Sequence, residues 1–223
     1  MKIAYIITGT SRGLGKSLQN VIIKNNNDIF PFNRKIINNK NFSNYLIDLN
    51  DAKLLEKMLN NDLKETFFKY DLIVFISNAA ILKPSSVNNL SLENIQSSVN
   101  INYVAPILIL KFLLNLNKNI LVINITSGAK DSKNKGLSLY SSLKLAYYHL
   151  LEISNLESKR LNVIHYDPGA MDTDMQKMLR VKGSDFDRHE QFMKMYKNNN
   201  LKSVDDVSID VFKVITKYVE ANY

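Results

Sequence analysis

Tyr140 and Lys144 stand four residues apart, and Ser127 precedes the tyrosine by thirteen. On a helix beginning at Leu139, Tyr140 and Lys144 share one face, so an ammonium sits beside a phenol. Ser127 follows the apolar run Asn119-Ile120-Leu121-Val122-Ile123-Asn124-Ile125-Thr126, which reads as a strand ending at the serine. Ligands of open parallel sheets bind at that carboxyl edge. A hydroxyl, a phenol and an amine meeting there suit protonation of a developing alkoxide. Tyrosine and lysine at this spacing are weak evidence alone, and Ser127 and the N-terminus strengthen them.

The N-terminal run Ile6-Ile7-Thr8-Gly9-Thr10-Ser11-Arg12-Gly13-Leu14-Gly15 closes a strand and opens a helix. Glycines there permit a sharp turn and close approach of a pyrophosphate, and the helix N-terminus offers unpaired N–H groups. The spacing Gly-x-x-x-Gly-x-Gly differs from the common Gly-x-Gly-x-x-Gly fingerprint. Gly15-Lys16-Ser17 ends like a nucleotide-hydrolase P-loop, but that motif needs glycine where Thr10 stands. A carboxylate closing the second strand would select NAD through the ribose hydroxyl. Here the strand runs into Phe32-Asn33-Arg34-Lys35. Arg34 from one side and Arg12 from the other suit a 2′-phosphate, so NADPH/NADP+ is expected in preference to NAD.

These groups need elements to hold them. Strands are expected at 3–8, 28–33, 44–48, 71–77, 119–126 and 161–166, apolar on both faces. Helices are expected at 14–25, 51–68, 91–116, 139–157 and 204–220. That alternation gives a single α/β domain over 1–223: a Rossmann-like, doubly wound parallel sheet of six to seven strands flanked by helices. The segment 171–200, rich in Met and Phe, is too long for a plain connection and is expected to be a substrate lid.

Composition narrows the classes. With 223 residues and 45% apolar content the chain can bury a sizeable core. There is no cysteine, which excludes disulfides and thiolate catalysis. The net charge of +8 is spread among asparagines without an Arg-rich stripe, so no nucleic-acid partner is expected. No run approaches 18 apolar residues, so no membrane partner is expected either. The absence of a signal-peptide pattern makes the cytoplasm the default. The three histidines show no ligand spacing, and no metal site is expected.

Taken together, these motifs resemble the short-chain dehydrogenase/reductase family over essentially the whole chain. Thr8 to Gly15 looks like its cofactor loop, with Gly9, Ser11, Arg12, Gly13, Leu14 and Gly15 as the contacting residues. The resemblance also implies cofactor contacts from Asp48 and Leu49, from Asn78 and Ala79 in a degraded Asn-Asn-Ala-Gly motif, and from Pro168, Gly169, Met171 and Thr173. It implies a catalytic tetrad of Asn102, Ser127, Tyr140 and Lys144, with Asn100 as the alternative asparagine. Within the family, Thr126-Ser127-Gly128-Ala129 and Asp172-Thr173-Asp174-Met175-Gln176 look most like the benzil reductase and sepiapterin reductase branch. The family's final strand is expected to be missing or reduced. A homodimer through 91–116 and 139–157 is the expected assembly.

The implied reaction is NADPH-dependent reduction of a small-molecule carbonyl. Tyr140 would be the acid, Ser127 would position the substrate oxygen, Lys144 would also bond the nicotinamide ribose, and Asn102 would hold a relay water. Drawing a phenol from a pKa near 10 to about 7 needs roughly 4 kcal/mol of differential stabilisation, expected from the Lys144 ammonium and the oxidised nicotinamide. The alternative is a catalytically silent NADPH-binding sensor or scaffold of the same fold.

Overall fold

The computed structural model describes residues 1–34, 45–181 and 185–223. Among these residues six strands form one parallel sheet: β1 (Ile3–Thr8), β2 (Asp28–Asn33), β3 (Tyr45–Leu46), β4 (Leu72–Ser77), β5 (Asn119–Ile125) and β6 (Leu161–Tyr166), in the order β3-β2-β1-β4-β5-β6. The order reverses between β1 and β4, which opens a crevice at their carboxyl ends.

Alternation along each strand divides the apolar residues between two layers. Ala4, Ile6, Phe30, Ile73, Phe75, Ile120 and Val122 face one layer. There they meet α2 (Ala52–Asp62), α4 (Ala105–Leu114) and α5 (Ser138–Glu157). Tyr5, Ile7, Leu72, Val74, Leu121 and Ile123 face α1 (Gly13–Lys24) and α8 (Val204–Asn222) on the other side. Strands buried on both faces explain why the sequence shows continuous apolar runs there.

Several boundaries differ from those read in the sequence. Of the strand expected at 44–48, the described residues show Tyr45–Leu46, paired with Phe32 and Asn33, and residue 44 lies outside the described residues. The helix at 51–68 stops at Asp62, and a 3₁₀ turn, Glu65–Phe67, follows. The stretch at 91–116 is α3 (Leu92–Val99), then a π-turn at Asn100–Val104, then α4. Leu92–Leu114 is long and apolar enough to cross a membrane. Ala105, Ile109, Leu110 and Leu113 instead pack it into the core. The segment 171–200 carries two helices, α6 (Asp174–Leu179) and α7 (His189–Lys197). Among the described residues β6 closes the sheet, without a seventh strand.

Candidate active site

The phosphate loop joins β1 to α1. Gly9 and Gly13 hold φ of +75° and +55°, and a Cβ on Gly15 would lie 2.2 Å from the Gly9 carbonyl oxygen. Glycine is therefore required by conformation at two positions and by space at the third. The loop is pinned from below by Thr8, Thr10 and Asn33, which the sequence did not mark as site residues, and by Asn78 and Ala79, which it did. Thr10 is fully buried; its N–H donates to Asn33 Oδ1 (2.9 Å), and Asn33 Nδ2 donates to Thr10 Oγ1 (2.6 Å). Thr8 Oγ1 accepts from the N–H groups of Asn78 (3.1 Å) and Ala79 (3.0 Å). Asn78 Nδ2 returns a bond to the Thr8 carbonyl at 2.8 Å. A polar side chain at the carboxyl end of a buried strand, such as Asn33, was the available signal.

This concavity of backbone at a helix N-terminus fits a pyrophosphate. Ser11 and Arg12 lie exposed on its rim, Leu14 is buried beneath it, and Arg34 is exposed directly after β2. Arg12 Nη1 pairs with Asp174 at 3.1 Å. Asp48 is exposed and turns its carboxylate to the Asn50 N–H (2.9 Å), while Leu49 is buried. Beyond β6, Pro168 is buried and Gly169 adopts φ +70°, its N–H donating to Asp167 (2.9 Å). Met171 bridges to Lys202, and Thr173 caps α6 by accepting from the Gln176 N–H.

Ser127, Tyr140 and Lys144 converge past the end of β5. Lys144 is buried on α5, donates to the Ile125 carbonyl at 2.8 Å and lies 6.0 Å from the Tyr140 ring centroid. Ser127 caps a short 3₁₀ turn, its Oγ accepting from the Ala129 N–H (3.2 Å). Burial lowers the Lys144 pKa to about 8. Burial also raises Tyr140 to about 12, with the Ser127 hydroxyl pulling it down and the Asp167 charge pushing it up. The expected descent of the phenol towards 7 is therefore not what the protein's own groups produce. Desolvation outweighs them.

Asn102 sits in the π-turn, buried, and both ends of its amide are engaged. Nδ2 donates to the Ile81 carbonyl and Oδ1 accepts from the Ile81 N–H, each at 2.8 Å. The side chain clamps the π-turn to the segment after β4. Asn100 instead reaches the Asn50 carbonyl (2.9 Å).

Part of the 171–200 segment covers the tyrosine. Leu179 and Phe186 are buried with Leu82, Leu137 and Tyr140, and Met175 and Phe192 pack against them. Asp185 ties this cover down by accepting from the Ser86 N–H (2.6 Å). Of the methionines, Met171 joins the opposite core and Met178 is exposed. Residues 182–184 lie outside the described residues.

A family profile described as short chain dehydrogenase matches residues 3–183. Benzil reductase ((S)-benzoin forming) of Bacillus subtilis is 28% identical over 97% of this chain and 94% of its own. Norsolorinic acid ketoreductase of Aspergillus parasiticus is 24% identical over 77% of this chain and 72% of its own. Among solved structures, a short chain dehydrogenase/reductase from Saccharomyces cerevisiae superposes with a TM-score of 0.79 at 22% identity, covering 92% of this chain and 86% of that one. An ElxO variant with NADPH bound gives 0.71 at 18% identity, over 95% and 90% of the two chains.

Proposed function

Because the chain belongs to the short-chain dehydrogenase family and is thus an NAD(P)-dependent oxidoreductase, we propose that it reduces small carbonyl compounds with NADPH, Tyr140 serving as proton donor. The observation that carries the proposal is the convergence of Ser127, Tyr140 and Lys144 beyond β5, beside the Gly9–Gly15 cradle. The benzil reductase and ketoreductase relatives support a carbonyl substrate, and vicinal diketones are the first class to test.

When bound, the dinucleotide supplies the hydride; the protein must orient the carbonyl and meet its developing negative charge. The Ser127 hydroxyl orients the substrate oxygen. A phenol with a pKa of about 12 stays protonated through the physiological range, as a donor must. It gives its proton to an alkoxide, a stronger base, and Lys144, charged below about pH 8, stabilises the phenolate left behind. Asn102 serves this chemistry at one remove, by fixing the π-turn beside α5. Leu179, Phe186 and Phe192 give the substrate an apolar cover that excludes water.

The preference for NADPH rests on Arg12 and Arg34 and on the side chain that ends β2. Asn33 stands where an NAD-selecting carboxylate would, and it is spent on Thr10. A second copy of the chain is proposed to dock on α4 and α5. There Ile107, Leu110, Leu114, Leu150 and Ile153 line an apolar groove of about 670 Å³, away from Tyr140.

The test is consumption of NADPH and NADH by purified protein across a panel of diketones, ketones and aldehydes. NADPH-dependent turnover of at least one carbonyl is expected. Binding of NADPH without turnover anywhere on the panel would replace the proposal with a silent sensor. Equal use of NADH would remove the roles given to Arg12 and Arg34.

A further inference from the structure

The guanidinium offered to a 2′-phosphate is already in use. Arg12 Nη1 meets Asp174 Oδ2 at 3.1 Å, and the two side chains remain 71% and 51% exposed. Asp174 opens α6, and its other oxygen takes Lys177 at 3.3 Å. The contact is not one of long side chains alone. A Cβ on Gly13 would lie 3.7 Å from Thr173 Cγ2, so the start of α6 rests on the glycine loop itself. At its other end α6 places Leu179 in the apolar cluster around Tyr140. One short helix therefore links the phosphate loop to the cover of the catalytic tyrosine.

We propose that Asp174 is a cofactor-selectivity residue: an internal counter-ion that competes with the 2′-phosphate of NADP(H) for Arg12. This inference rests on the NADPH reading above. A guanidinium presents several N–H donors in one plane, but its charge is shared when a carboxylate and a phosphate both claim it. Asp174 therefore lowers affinity for the 2′-phosphate while leaving the rest of the dinucleotide untouched. Lys177, bonded to the same carboxylate, restrains Asp174 and moderates the competition. An exposed pair is weak, so the effect is a tuning of selectivity, screened by salt.

The test uses adenosine 2′,5′-bisphosphate and 5′-AMP as probes, which differ only in the contested phosphate. Their dissociation constants are measured by calorimetry for wild type, Asp174→Asn, Arg12→Gln and the double variant. All the substituted side chains are exposed, and melting curves check that each variant is folded. The expected result is roughly two- to fivefold tighter binding of the bisphosphate by Asp174→Asn. Binding of 5′-AMP should not change, and the gain should vanish when Arg12 is also replaced. Unchanged or weaker binding of the bisphosphate by Asp174→Asn overturns the inference, as does a gain that survives the loss of Arg12. If wild type holds both probes equally, the NADPH preference itself falls, and the competition with it. Discrimination by wild type without an Asp174 effect sinks the competition alone.

Discussion

Asn102→Ala should unfold far more easily than its chemistry suggests. The amide makes two 2.8 Å bonds to the backbone of Ile81, and the side chain is only 4% exposed with its residue. Truncation leaves the Ile81 N–H and carbonyl facing a methyl group. Each buried polar group left unpaired costs about 1–3 kcal/mol. Ile81 is only partly buried, so water recovers part of this, and the pair should cost about 2–4 kcal/mol. For a chain of this length that lowers Tm by roughly 5–15 °C, readable in urea and thermal denaturation. Asn102→Asp supplies a sharper check. Its carboxyl can bond Ile81 fully only when protonated, so its folded pKa should rise, and stability should fall as pH increases from about 4. An Asn102→Ala protein within about 0.5 kcal/mol of wild type would refute the clamp.

Further perturbations separate the parts of the site. Gly15→Ala brings a Cβ to 2.2 Å from Gly9 O and 2.6 Å from Asn78 Nδ2, so the cradle must open. It should abolish the rise in Tm that NADPH gives wild type, whereas Gly13→Ala, with 3.7 Å of room but φ +55°, should lose only about 1–2 kcal/mol to strain. Lys144 has a pKa of about 8 when folded against 10.5 as its ordinary value. Between those limits the unfolded chain binds the extra proton, so stability should rise with pH there, and denaturation should show Lys144→Met without that rise. Leu150→Glu places charge in the groove between α4 and α5, and sedimentation should show a wild-type dimer become a monomer.

Much of the site was legible because chain chemistry and chain order carry it. Gly9, Gly13 and Gly15 follow from backbone geometry, and Tyr140 with Lys144 follows from helical spacing. Alternating apolar runs likewise gave the sheet. What was hidden depends on contacts between distant segments. The bonds of Asn33 to Thr10 and of Asn102 to Ile81 leave no local pattern, and neither does the pairing of Arg12 with Asp174. The π-turn was also invisible, since the apolar spacing of 91–116 suits one unbroken helix. The rise of the Tyr140 pKa needed its burial, which spacing alone does not report.

The proposed reduction requires the Tyr140 hydroxyl to donate the proton. Its most direct test is Tyr140→Phe, assayed for NADPH oxidation with a carbonyl that wild type reduces and, separately, for NADPH binding by calorimetry. NADPH affinity should stay intact while turnover falls by at least about 100-fold, the lower range for losing a general acid. Turnover equal to that of wild type would contradict the requirement.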